Sequence, residues 1–346
     1  MIKRFMMILA CVSLGGLAQV PDSVAKPRMT LEEAREQAES QMDLMLFRIK
    51  MFHHEVRATM ISSVELPVFK EYFLLPESRA TTMNELGVAQ FSKRQIQLRK
   101  KMEAWSRVLY KRFPIGEACL IDHAGLEHLR AVNGKVEEEH MFSNSEADAP
   151  FFAPSFRLAA GEVLASDPYM SPDSLRWVIA YTSPVVLENG EKPAFFHFEV
   201  PLDVYGKVIA SKDFSYSRAL GKYQLDKEEE GWFFLLDKSG LLLADSRRPI
   251  RTEMRKKPDS SGNRDDGDYA LREKLVDYLP DVASISNDPG FLEATVKMRN
   301  GESGEVHLTL NKRAYILLYR PIPGRPWSLG HLDPVGGAGF WEREKR

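Results

Sequence analysis

Apolar residues recur at Met42, Met45, Ile49, Phe52, Val56, Met60 and Val64. Steps of three and four set them on one face of a helix. Thr30 stands ahead of the run with Glu33 three residues later, a capping box, and Pro67 ends the pattern. About 35 residues rising 1.5 Å each make a rod of about 50 Å. That is longer than a small domain is wide, so the rod is predicted to be a spine shared by two domains. A second helical stretch is predicted from about Thr82 to Arg112. Val88, Phe91, Leu98, Met102, Trp105 and Leu109 lie on one side of it, and Arg99-Lys100-Lys101 forms its solvated face.

Beyond Ile115 the period changes from helical to alternating. Trp177–Leu187 and Ala194–Leu202 are two β-branched and aromatic runs around Glu188-Asn189-Gly190-Glu191. Asn-Gly tolerates positive φ, so the pair reads as a hairpin of two central antiparallel strands. Val178, Ala180 and Thr182 share one side of the first strand, and Trp177, Ile179 and Tyr181 share the other. A strand, Asp-x-x-Gly, strand device occurs twice, as LIDHAGLEHLR from Leu120 and as LLDKSGLLLAD from Leu235. Asp caps such a turn and Gly takes its strained dihedral. WVIAYTSPVV is echoed by AYILLYRPIPG at Ala314–Gly324, so the chain is expected to build one α/β unit twice. Asp203–Lys227 reads as a helical connector, Arg247–Asp268 as a solvated loop and Tyr269–Tyr278 as a short helix. Phe291–Val296 reads as another helix, and Glu305–Leu310, Arg313–Arg320 and Trp327–Leu332 as closing strands.

The 346 residues favour two domains over one. A content of 44% apolar and 28% charged residues argues against disorder throughout, and a net charge of -2 supplies no basic face for nucleic acid. Lys3 and Arg4 precede an apolar run, and Ser23-Val24-Ala25 offers small residues at a cleavage position. This is the pattern of a secretory signal over residues 1–25, and the run is short for a membrane span. The protein is therefore expected in the periplasm. Cys11 lies in the signal, which leaves Cys119 as a buried small hydrophobe with no partner for a disulfide.

The sequence has no His-Glu-x-x-His, no Gly-x-Ser-x-Gly, no phosphate loop and no paired-cysteine site, so neither catalysis nor a cofactor or metal is expected. His53-His54 are adjacent on a helix and diverge, and His123 and His128 are poorly spaced as ligands. The first repeat instead gathers Phe151, Phe152, Phe156, Tyr169, Arg176, Trp177 and Tyr181, with His197 and Glu199 on the same side of the partner strand. An arginine fork suits a carboxylate and a carboxylate suits an amine, so a small polar ligand is expected there.

On these features the chain resembles the double Cache sensor domains, the extracytoplasmic ligand-binding modules of bacterial chemoreceptors, sensor kinases and cyclase regulators. The resemblance covers roughly Leu31 to Leu332. It rests on the long helix, the LIDHAGLEHLR turn ending at Arg130, the SPDSLRWVIAYTSPVV/FFHFEVPLD hairpin, and GWFFLLDKSGLLLAD with AYILLYRPIPGRPW. It implies an α+β fold, a long N-terminal helix followed by two tandem PAS-like (Cache) units with antiparallel sheets. The expected layout is a helical spine over 26–113, a first unit over 114–213 that holds the ligand, a second over 214–333, and a tail over 334–346. The expected ligand contacts are Arg130, Tyr169, Arg176, Trp177, Tyr181, His197 and Glu199. Amino-acid-binding members use an Arg-x-Trp-Tyr run and an aspartate; here Arg176 and Trp177 are adjacent and Glu199 takes the aspartate's place. An amine or carboxylate ligand is thus the expectation. Family members continue into a membrane helix and a signalling domain. This chain is expected to stand alone and to signal to a membrane-bound receptor or kinase. The competing reading is a structural or protein-interaction module without a small-molecule ligand.

Overall fold

A computed structural model describes residues 30–85, 87–143, 146–174, 176–210, 231–247, 279 and 281–337. The signal at 1–25, the connector beyond residue 210, the loop beyond residue 247, the helix expected at 269–278 and the tail beyond residue 337 lie outside the described residues. Among the described residues no helix is long and apolar enough to cross a membrane.

Helix α1 spans Leu31–Val64 and opens on the expected capping box: the Thr30 side chain accepts from the Glu33 N–H, and the Glu33 carboxylate accepts from the Thr30 N–H. The apolar stripe from Ala34 through Val64 is buried. Pro67 does not merely end this helix but starts α2, Pro67–Phe73, at a position where its missing N–H is harmless. The second predicted helix is shorter than its period suggests. Helix α3 is Lys93–Arg112, opened by a capping box of Ser92 and Gln95. Upstream, Thr82–Met83 (β1) and Ala89–Gln90 (β2) form a small antiparallel ladder. Its turn is set by the Asn84 side chain, which accepts from the Val88 N–H, and by Gly87 at φ +72°. Arg99 is not solvated: it is buried, pairs with Glu103 and Glu139, and lies over the Phe91 ring. Lys100 and Lys101 are exposed.

The first sheet contains β3 (Glu117–Asp122), β4 (Glu127–Val132), β5 (Lys135–Val136), β6 (Leu164–Ala165), β7 (Tyr169–Met170), β8 (Trp177–Val185) and β9 (Ala194–Pro201), with helix α4 at Phe152–Arg157. Its order is β5-β4-β3-β9-β8-β6, with β7 also on β8. Helix α5, Leu202–Ala210, follows. The second sheet contains β10 (Trp232–Asp237), β11 (Leu242–Asp245), β12 (Gly304–Leu310), β13 (Arg313–Pro321) and β14 (Trp327–Gly337), with helix α6 at Pro289–Arg299. Its order is β11-β10-β14-β13-β12.

The spatial sequence β4-β3-β9-β8-β6 therefore matches β11-β10-β14-β13-β12, and the repeat read from the turns is a repeat of the sheet. Asp122 accepts from the N–H groups of Ala124 and Leu126, with Gly125 at φ +81°. Asp237 does the same for Ser239 and Leu241, with Gly240 at φ +95°.

Both sheets rest on α1, and one apolar core runs along it. The first half of the helix meets the second sheet, where Arg35 pairs with Glu305 at 2.9 Å and Asp43 pairs with Arg320. The second half meets the first sheet, where Arg57 donates to the Val163 carbonyl at 2.9 Å. The far face of the second sheet is closed by α6. Phe234 packs against Phe291, and its ring covers Gly330 on the neighbouring strand. A Cβ at residue 330 would lie 2.2 Å from that ring. Gly330→Ala is expected to destabilise the fold by about 1–3 kcal/mol through overpacking, read as a lower urea midpoint at unchanged slope.

Candidate functional site

Strand alternation sorts the first sheet into two faces. Leu120, Trp177, Ile179, Tyr181 and Phe198 point to the core under α1. Cys119, Val178, Ala180 and Phe195 point the other way, into a smaller apolar cluster with Phe151 and Tyr169. Helix α4 closes part of this outer face, where Ser155 Oγ meets Thr182 Oγ1 at 2.6 Å. One row across four strands reads Arg130, Cys119, His197, Thr182, each residue paired with the next.

The outer face buries a cluster of ionisable side chains. The Arg130 side chain is 1% exposed; it lies 3.1 Å from Glu127, 3.3 Å from Glu117, and against Asp173. Glu199 accepts hydrogen bonds from the Tyr169 hydroxyl at 2.8 Å and from Ser174 Oγ at 3.1 Å. His197 stacks on Phe151 with ring centroids 4.3 Å apart, and its Nε2 is 3.5 Å from the Tyr169 hydroxyl.

Burial disfavours every charge placed here. It raises Glu199 to about 7, against the hydrogen bond from Tyr169. It raises Glu127 to about 7 against the pull of Arg130, and it lifts Glu117 well above the carboxylate range with help from Asp173. It lowers His197 to about 3, aided by Arg130, and pushes the Cys119 thiol up. Three carboxylates thus gather around one guanidinium, with Glu199 close enough to Glu117 to raise it further.

Of the residues predicted for the site, Arg130, Tyr169, His197 and Glu199 meet on this face. Trp177 and Tyr181 lie on the opposite face of the same sheet. There the Tyr181 hydroxyl joins His53 Nδ1 of α1 at 2.6 Å and the Tyr205 hydroxyl of α5 at 2.8 Å. The His53 ring is in turn 5.8 Å from that of Trp327 on β14. Burial, then Arg325 and Arg57, hold His53 near 3, so it stands neutral at the junction of both sheets. Arg176 pairs with Asp203 at 2.9 Å.

Glu117, Glu127, Asp173, Ser174 and Cys119 were not among the residues predicted for the site. A signal for three of them lies in the repeat itself. Setting the two Asp-x-x-Gly turns in register places Glu117 against Trp232, Cys119 against Phe234 and Glu127 against Leu242. In the sheets, His197 (beside Cys119) occupies the place of Gly330 (beside Phe234). The second copy fills these positions with carbon. The fold therefore does not demand the polar cluster of the first.

No family model matches the sequence, and no curated protein matches it. Solved structures do match. The sensory domain of the Campylobacter jejuni chemoreceptor Tlp3 (CcmL), with isoleucine bound, has a TM-score of 0.53 at 9% identity, over 88% of this chain and 93% of that one. The extracellular domain vpHK1S-Z8, described as that of a histidine kinase, has a TM-score of 0.53 at 11% identity, over 91% of this chain and 95% of that one. A domain of a sensory box/GGDEF family protein of Vibrio parahaemolyticus has a TM-score of 0.52 at 10% identity, over 87% and 97%. The chain has the α+β fold of these domains.

Proposed function

We propose that this protein is an exported sensor of the double Cache kind, which binds a small ammonium-bearing molecule against the outer face of its first sheet. The working layout keeps the spine at 26–113, the binding unit at 114–213 and the second unit at 214–333. The observation that carries the reading is the excess of buried carboxylates over the Arg130 guanidinium, at positions where the second copy is apolar. Uncompensated buried charge is costly, and a cation removes the cost. Arg130 is flanked by three carboxylates and Arg176 is engaged by Asp203, so the charge pattern favours an amine over a carboxylate. The Tlp3 domain, solved with isoleucine bound, is a precedent for a small amine-bearing ligand on this fold.

The bound state is presented to a membrane-bound receptor or kinase. Strand β8 carries Ala180 on the binding face and Tyr181 on the other, so a shift of this strand reaches His53 and α1 through the tyrosine hydroxyl. Binding moves such an equilibrium only as far as the ligand prefers one state.

Calorimetry with free amines, amino acids and the matching deaminated acids tests the assignment. Amines are expected to bind and the acids to give no heat. Glu199→Gln is expected to weaken binding by about tenfold or more, equivalent to about 1.4 kcal/mol. Acids that bind as well as amines, no binding by any amine, or full affinity in the Glu199 variant would each overturn it.

A further inference from the structure

We infer that Glu117, Cys119 and His197 form a binding site for a thiophilic divalent metal ion of the zinc type, on the outer face of the first sheet. One donor atom from each of the three lies within 4.8 Å of the other two, and all three residues are buried. Glu117 and Cys119 are two apart on β3 and so share a face, and His197 sits directly across from Cys119 on β9. Carboxylate, thiolate and imidazole are together a donor set for zinc. Bond lengths of about 2.0–2.3 Å bring the donors of a tetrahedral ion to within about 3.3–3.8 Å of one another. Side-chain adjustments of about 1 Å close the shell, with the fourth position left to water.

Two further observations point to a missing partner. His197 is 1% exposed, and its Nδ1 has no hydrogen-bond partner among the described residues. Glu117 Oε1 is likewise buried without a hydrogen bond among the described residues, Arg130 Nη2 lying 3.3 Å away but out of alignment. An unmade bond on a buried polar atom is destabilising, and a coordinated ion satisfies both atoms at once.

The corresponding positions of the second copy (Trp232, Phe234 and Gly330) hold no donor side chain, so the strand pairing alone does not explain the cluster. Arg130 does not oppose the ion, because Glu127 and Asp173 still neutralise it. On binding, the Cys119 thiol gives its proton to solvent and its sulfur to the metal. The metal site does not rest on the amine reading.

Cobalt(II) titration of the full chain, in a Cys11→Ser background so that Cys119 supplies the thiol, tests the site. A near-ultraviolet thiolate-to-cobalt charge-transfer band with tetrahedral d–d bands is expected, and zinc should displace both. Cys119→Ser should abolish the charge-transfer band while leaving the far-ultraviolet circular dichroism unchanged. His197→Gln and the isosteric Glu117→Gln should each weaken cobalt binding by more than the roughly 10–100-fold typical of outer-shell changes. No charge-transfer band, or a band that persists in Cys119→Ser, would overturn the site. Cobalt binding without any amine heat would sustain the metal site and refute only the amine reading.

Discussion

Arg130→Met is expected to destabilise the protein by about 3–5 kcal/mol at pH 8 and by far less at pH 5. The guanidinium is buried among Glu117, Glu127 and Asp173, and removing it leaves their charges uncompensated. Burial already raises Glu127 to about 7 with the arginine present, and Glu117 well above its ordinary value. Without Arg130 both rise further. The sign follows from linkage: a carboxyl raised in the folded state binds more protons there than in the unfolded chain. Stability is therefore greatest below about 4.5, the ordinary value, and falls as pH climbs toward the folded value. Loss of the arginine extends that fall to higher pH. At pH 5 Glu117 and Glu127 are largely neutral, and the buried guanidinium has less charge to balance. Urea unfolding of both proteins at the two pH values measures the difference. An equal loss at both would mean that Arg130 acts through packing alone.

Glu199→Gln is expected to have the opposite sign. Burial raises Glu199 to about 7 from 4.5. Ionising it in the folded protein above that pH therefore takes away on the order of 3 kcal/mol of stability. Glutamine keeps the shape. Its carbonyl accepts from the Tyr169 hydroxyl, and its amide donates to Ser174 Oγ. Without ligand, the variant should melt above the parent at pH 8 and match it at pH 5. The buried imidazoles His53 and His197 near 3 and His331 near 4 act in the other direction, adding stability as pH rises toward about 6.5. Comparing variant with parent at each pH cancels their contribution. A variant less stable than the parent at pH 8 would show that the Glu199 charge is already balanced without a ligand.

Much of the architecture was legible before any coordinates. The spine announced itself through Thr30, Glu33 and a stripe in phase over about six turns, and the paired Asp-x-x-Gly turns marked the two sheets. The misreading at Thr82–Gln90 has a plain cause: Val88 and Phe91 fall in phase with Leu98 and Met102, so the period continued across a boundary that Ser92 sets. The site was harder. His197 and Glu199 were grouped because they are two apart on one strand. Trp177 and Tyr181 were chosen for their chemistry, but their odd numbers on β8 place them on the α1 face with Ile179. Glu117 and Cys119 sit in a run that reads as core, and Asp173 comes from a loop. Only the pairing of β3 with β9 brings Cys119 beside His197, and that register is not written in either strand alone.

The reach of α1 across both sheets has a consequence for biosynthesis. Asp43 and its partner Arg320 are 277 residues apart. Synthesis proceeds from the N-terminus, so α1 waits for the later strands β13 and β14 before Ala34, Ala38 and Met42 are covered. Contacts this distant in sequence make for slow closure, and a nascent chain bearing such a bare stripe is open to aggregation. A fragment stopped at residue 213 would keep that stripe bare, because β13 and β14, which cover it, come later in the chain.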